Sequence, residues 1–218
     1  MFICPYYSYE SFYRMPEINP VSYIRFLNAS PNSPAIDVYL NDRRIFKNLT
    51  YKSFSDYVSV HPGLYNIKIF PSGANLNPIL DKRLPIPAGK IFTMSSIGNY
   101  PNIDLLSIED VRLPKIPGKA FIRFVHLSPD APSVDVKLPN GNVLFSNVSY
   151  KEITRYLPVS PGKYTLEIFT SDSGKKVLHI PNIRIIPNRF YSVYAVGNVS
   201  HDPKLQVLIP LDGNSYLH

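Results

Sequence analysis

Ser30-Pro31-Asn32-Ser33-Pro34-Ala35-Ile36-Asp37-Val38 returns about a hundred residues later as Ser128-Pro129-Asp130-Ala131-Pro132-Ser133-Val134-Asp135-Val136. Each copy is entered from a similar apolar stretch, Tyr23-Ile24-Arg25-Phe26-Leu27 and Phe121-Ile122-Arg123-Phe124-Val125. A proline fixes its own φ near −65° and drives the preceding residue to extended backbone, so Ser-Pro-x-x-Pro continues neither a helix nor a central strand. Ser30, Asn32, Ser128 and Asp130 can satisfy the backbone N–H groups freed at such a corner. Period-two alternation resumes in Ile36-Asp37-Val38-Tyr39-Leu40 and Val134-Asp135-Val136-Lys137-Leu138. The motif therefore reads as strand, corner, strand, with Ser30, Pro31, Pro34, Asp37, Ser128, Pro129, Pro132 and Asp135 as its structural turn residues.

Working outward, the first copy divides into short strands at 23–28, 36–40, 43–47, 54–60, 64–70, 79–85, 91–98 and 103–108. The second follows step by step: Pro62-Gly63 matches Pro161-Gly162, Tyr51 matches Tyr150, Tyr57 matches Tyr156, and Gly98-Asn99 matches Gly197-Asn198. The 22 Pro, 16 Tyr and 12 Phe among 218 residues favour strands and turns over helices. The expected fold is all-β, with two tandem antiparallel β-sandwich domains of Ig-like or transthyretin-like type and an extended N-terminal arm. Its parts are a Tyr/Pro-rich arm over 1–20, sandwich repeat 1 over 21–110, a Pro-rich linker over 111–118 and sandwich repeat 2 over 119–218. Since each copy holds a full set of strands, residues 119–218 are expected to fold alone.

The motifs recur in order: Ile-Arg-Phe, Ser-Pro-x-x-Pro-x-x-Asp-Val, Asn48-Leu49-Thr50-Tyr51 or Asn147-Val148-Ser149-Tyr150, and Pro-Gly-x-Tyr. In this the chain resembles the DUF4397 family of bacterial domains of unknown function over nearly all of residues 22–212. The resemblance implies tandem copies and an exported or cell-surface setting, and it carries over no catalytic residues. The chain departs from it in lacking a recognisable export signal and in having the Tyr-rich arm.

Catalytic and metal constellations are weak. His126, Ser128 and Asp135 supply a base, a nucleophile and a carboxylate, yet the first copy has Asn28, Ser30 and Asp37 there, and a turn motif explains the repetition without chemistry. Asp130, Asp135 and Asp202 are scattered oxygen donors without an Asp-x-Asp-x-Asp run, and His61, His179, His201 and His218 lack zinc-site spacing. Gly-rich phosphate loops and a Gly-x-Ser-x-Gly elbow are absent from the sequence. We expect no enzyme, no cofactor and no metal. The net charge of +7 is spread without a Lys/Arg run, which argues against a nucleic-acid partner.

The arm is the other informative stretch. Tyr6, Tyr7, Tyr9, Phe12 and Tyr13, framed by Pro5, Pro16 and Pro20, are too aromatic for a merely solvated tail, and Cys4 is the one cysteine of the chain. Its expected role is self-association into a homo-oligomer or polymer, as in a structural protein of a bacterial surface, spore coat or appendage. The alternative is a carbohydrate- or cell-wall-binding module in which a loop aromatic such as Tyr100 stacks on a polysaccharide. No signal peptide or membrane span is recognisable, so synthesis is expected in the cytoplasm with deposition on the spore or cell surface.

Overall fold

The structure, a computed structural model, describes residues 20–217. Sixteen strands run in order: β1 Ser22–Asn28, β2 Ile36–Leu40, β3 Arg43–Leu49, β4 Val58–Val60, β5 Gly63–Pro71, β6 Leu80–Ile86, β7 Ile91–Ile97 and β8 Asp104–Glu109 in the first half. The second half repeats them as β9 Ala120–His126, β10 Val134–Lys137, β11 Val143–Val148, β12 Leu157–Val159, β13 Gly162–Thr170, β14 Lys176–Ile185, β15 Phe190–Val196 and β16 Gln206–Leu208. They form four four-stranded sheets, β4-β1-β7-β8 and β3-β2-β5-β6 in the first half, β12-β9-β15-β16 and β11-β10-β13-β14 in the second. The fold is all-β with two sandwich halves, as the alternation required.

Two features differ from the sequence expectation. β1 pairs parallel with β7, and β9 parallel with β15, inside sheets whose other pairs are antiparallel. The stretch expected as one strand over 54–60 is paired as a strand only over Val58–Val60, with Phe54 making an isolated bridge to Leu27 and Ser55 Oγ accepting from the Phe26 N–H.

Alternation along β1 explains the layering. Ile24 and Phe26 face the first half's own core with Ile36, Val38, Ile67 and Ile69, whereas Arg25 and Leu27 point the other way. β9 does the same, with Ile122 and Phe124 inward and Arg123 and Val125 outward. The two outward faces meet: Leu27, Ala29, Ile97 and Ile108 pack against Val125, Leu127, Tyr194 and Val196 in a third apolar cluster. Both faces of the two inner sheets are therefore covered, and every residue of β7, β9 and β15 is buried. Each half contributes one outer and one inner sheet, and the four sheets form a single four-layer stack.

Candidate functional site

The corner motif resolves into backbone-holding side chains. Asp37 Oδ1 accepts from the Asn48 N–H at 2.8 Å and from Ser72 Oγ at 2.9 Å, and Arg44 reaches Oδ2 at 3.2 Å. Asp135 Oδ1 likewise accepts from Asn147 N at 2.8 Å and Ser171 Oγ at 2.8 Å. Asn48 and Asn147 are left-handed at φ 54° and 51°, a conformation asparagine tolerates, and β2–β3 and β10–β11 shift register beside them. Burial works to raise the Asp37 pKa, but the bonds from Asn48, Ser72 and Arg44 outweigh it and hold the carboxyl below its ordinary range. Asp135 is held low first by the Asn147 N–H. Ser30 and Ser128 donate to the carbonyls of Gly98 and Gly197 at 2.5 and 2.6 Å, tying each corner to the loop after the seventh strand of its half. Glycine is required at both loops, because a Cβ on Gly98 or Gly197 would run into the carbonyl of Asn102 or Lys204.

The His126, Ser128, Asp135 trio makes no mutual hydrogen bond. His126 Nε2 faces the Pro132 carbonyl at 3.2 Å, Ser128 is committed to Gly197, and Asp135 to Asn147. Burial lowers the His126 pKa. Asp130 accepts from the N–H groups of Val199 and Ser200 at 2.7 and 2.9 Å, and among the described residues no three His, Cys, Asp or Glu side chains converge on a metal position. Tyr100 stands at a loop tip, 37% exposed, its N–H donating to the Pro31 carbonyl at 3.3 Å. Cys4, Tyr6, Tyr7, Tyr9, Phe12 and Tyr13 lie outside the described residues.

The most unusual chemistry lies between the halves, where sequence reasoning placed nothing. The two Ile-Arg-Phe arginines project into the shared layer and exchange partners across it. Arg123 donates through Nη2 to Asp110 Oδ1 at 2.5 Å, lies 3.4 Å from Asp212 Oδ2, and donates through Nη1 to the Glu109 carbonyl at 2.6 Å. Arg25 donates through Nη1 to the Leu211 carbonyl at 3.1 Å and approaches Asp212 Oδ1 at 3.6 Å. Each arginine thus meets the chain at or just past the end of the other half's last strand. Thr93 and Ser192 accept from the two Nε–H groups at 2.9 and 2.5 Å. Tyr57 donates to Asp110 at 2.6 Å, Tyr156 donates to Asp212, and the two guanidinium groups stack at 4.7 and 4.6 Å over the Tyr57 and Tyr156 rings. All four charged side chains are buried. Burial and the nearby Asp110 carboxylate raise the Asp212 pKa to about 6, against the pull of Arg123 and the Tyr156 hydroxyl. Arginine in mid-strand flanked by apolar residues in both copies was the available signal; its partners Asp110 and Asp212 stand on other stretches of the chain and carry no local mark.

Beside this cluster opens a groove of about 600 Å³ with mostly apolar walls. Val111 and Leu113 of the linker, Ile153 and the Tyr156 ring form them, with Glu109 and Arg155 at the rim. Val111, Leu113 and Ile116 are 45%, 37% and 45% exposed, so apolar surface continues outward from the groove.

A stack of two β-sandwich halves, each built on the same corner motif, defines a duplicated all-β module. The chain belongs to the DUF4397 family, a domain of unknown function, whose model matches residues 22–137 and 138–215. That match divides between β10 and β11, whereas the sheets divide at the linker. No curated protein matches. Among solved structures, the chain is similar to the Bacillus anthracis TIE protein at 11% identity and TM-score 0.27, over 82% of this chain and 34% of that one. It is similar also to a Bacteroides thetaiotaomicron DUF1812 protein, described provisionally as polysaccharide binding, at 11% identity and TM-score 0.25, over 89% of this chain and 96% of that one. Likenesses this distant carry no argument about function. No helix among the described residues is long and apolar enough to cross a membrane.

Proposed function

We propose that this chain is a non-enzymatic building block of a bacterial surface, spore coat or appendage that assembles through residues 1–20. The observation that carries the reading is the junction of the halves: a buried Arg–Asp exchange locks them into one stiff body, and an open apolar groove lies directly beside the lock. Stiff blocks with an unfilled apolar surface suit repeated assembly. The commitment of His126, Ser128 and Asp135 to backbone groups supports a role without catalysis. Electron microscopy and sedimentation of the full-length protein test the reading: ordered polymers, or masses several times that of one chain and rising with concentration, are expected. A monomer at all concentrations that is retained on insoluble polysaccharide would replace it with the binding-module reading, in which Tyr100 is the residue to substitute first.

A further inference from the structure

Resting on that assembly reading, we propose that the groove beside Tyr156 receives the aromatic residues of the segment preceding Pro20 from a second copy of this chain. The argument begins with an internal comparison. The pseudo-twofold that exchanges Arg25 with Arg123 also exchanges Tyr57 with Tyr156, and Val111 with Gly213 just past the two aspartates. In the first half the place next to Tyr57 is taken. The turn Gly213–Ser215 seats there, Gly213 N–H donates to Tyr57 Oη at 3.1 Å, and the Tyr216 ring meets the Tyr57 ring edge-on at 5.8 Å. The fit is close, since a Cβ on Gly213 would strike Ile91. In the second half the Tyr156 ring meets Phe190 edge-on at 5.4 Å, and Val111 and Leu113 pass beside it as walls of the groove, which no turn like Gly213–Ser215 fills. The first half thus shows one kind of group that fits beside such a tyrosine: a short segment bearing an aromatic ring.

Residues 1–19 match that description. They carry Tyr6, Tyr7, Tyr9, Phe12 and Tyr13, and Glu10 lies among them. The groove rim presents Arg155 where the first half has Asp56, with Glu109 also on it, so the rim carries both signs of charge, as the segment does with Glu10, Arg14 and Glu17.

The geometry of attachment points to a second copy rather than the same one. Pro20 packs on Gly89, whose neighbour Lys90 is ion-paired to Glu109 at the groove rim. β1 is separated from β8 by β7 alone, a distance of roughly 10 Å. Along an extended chain, Tyr13 stands about 23 Å and Tyr6 about 46 Å from Pro20. Prolines at 5, 16 and 20 favour extension. An extended arm therefore carries its aromatic residues well past its own groove and within reach of a neighbour's. An arm-to-groove contact of this kind is heterologous, and repeated head to tail it builds an open-ended polymer.

Cys4, two residues before Tyr6, makes the contact measurable in the full chain. Ser107 lines the groove, is exposed, and can be replaced as Ser107→Cys; Ser59→Cys, on β4 at the opposite edge of the same sheet, is the control. On mild oxidation, Ser107→Cys is expected to give a ladder of covalent multimers on a non-reducing gel. Wild type, with one cysteine, can give nothing above a dimer, and the control no more than a trace. A monomer-sized product with no free thiol would place the arm in its own groove and overturn the second-copy proposal. Absence of any Ser107→Cys product beyond the wild-type dimer would overturn the groove. Filling the groove with Ser107→Trp should cut the average mass in sedimentation to that of one chain. If wild type forms polymers by electron microscopy but both Ser107 variants behave like it, the assembly reading stands and this inference falls; if wild type is a monomer throughout, the assembly reading falls first.

Discussion

The two halves share a fold and a corner motif but not their investment in the layer between them. Arg123 reaches both carboxylates and a carbonyl, while Arg25 reaches Asp212 only at 3.6 Å, leaving its Nη2 and Asp212 Oδ1 without a hydrogen-bond partner. Asn28 of the first half donates to the Leu49 carbonyl at 3.1 Å and accepts from Ser96 at 3.0 Å, whereas His126 at the matching place leaves Nδ1 unpartnered because Ala195 replaces the serine. The first half's Asp37 is fully buried and the second half's Asp135 is not. Duplication kept the residues that turn the chain and let those that satisfy buried charge drift, so the copies are alike in topology and unlike in energetics.

The strongest way to break this comparison is to separate the halves. A fragment of residues 119–218 would expose Val125, Leu127, Tyr194 and Val196 together with Arg123, stripped of Asp110, and Asp212, stripped of Arg25. Although its strands are complete, we expect it to melt far below the full chain and to aggregate, while the full chain shows a single calorimetric transition. Two transitions in the full chain, or a fragment as stable as the whole, would bear out the expectation that residues 119–218 fold alone.

Next in size are the two arginines. Arg123→Met should cost about 3–5 kcal/mol in urea unfolding, because it leaves Asp110 and Asp212 buried with one distant cation. Arg25→Met should cost clearly less, since Arg25 holds no carboxylate within hydrogen-bond distance. Equal losses would mean that the cluster is shared evenly despite its geometry.

The pH dependence sharpens the contrast between Asn28 and His126. The raised Asp212 pKa means that the folded state holds the proton more tightly than the unfolded one. Its contribution to stability is therefore complete below about pH 4 and is lost as pH rises through about 6. His126 acts in the opposite sense over an overlapping window. Burial lowers its pKa, so the unfolded chain takes up a proton first, and stability is lost as pH falls below 6.5. His126→Asn, the first half's own residue, should remove that loss. Its stability relative to wild type should improve between pH 7 and 5 by no more than about 1.4 kcal/mol per pH unit, read from urea curves. A variant that tracks wild type at every pH would show that His126 titrates normally.

The smallest effect concerns the corners. Asp37→Ala and Asp135→Ala should each destabilise by roughly 1–3 kcal/mol, with Asp37 the costlier because its carboxylate is buried and its N–H donor would be left unpaired. Thermal melting that ranks them the other way would make exposure a poor guide here.

Much of the fold was legible because its determinants are local. Prolines at 31, 34, 129 and 132 mark corners, and alternation in Ile36–Leu40 and Val134–Lys137 marks the strands that follow. The parallel pairing of β1 with β7 was not legible, since alternation fixes which face is buried but not which strand lies alongside. The groove was hidden for a related reason. It depends on Val111 and Gly213 occupying equivalent places while the chain continues differently after each, and no motif records that.

The linker from Val111 to Gly118 has a further consequence. Two separate chains meeting through the Arg–Asp exchange would come apart on dilution, since their encounter would depend on concentration. Tethered by a few residues, the same faces see one another at an effective concentration of the millimolar order. The junction is therefore insensitive to dilution, and a single molecule keeps it as surely as a concentrated solution does.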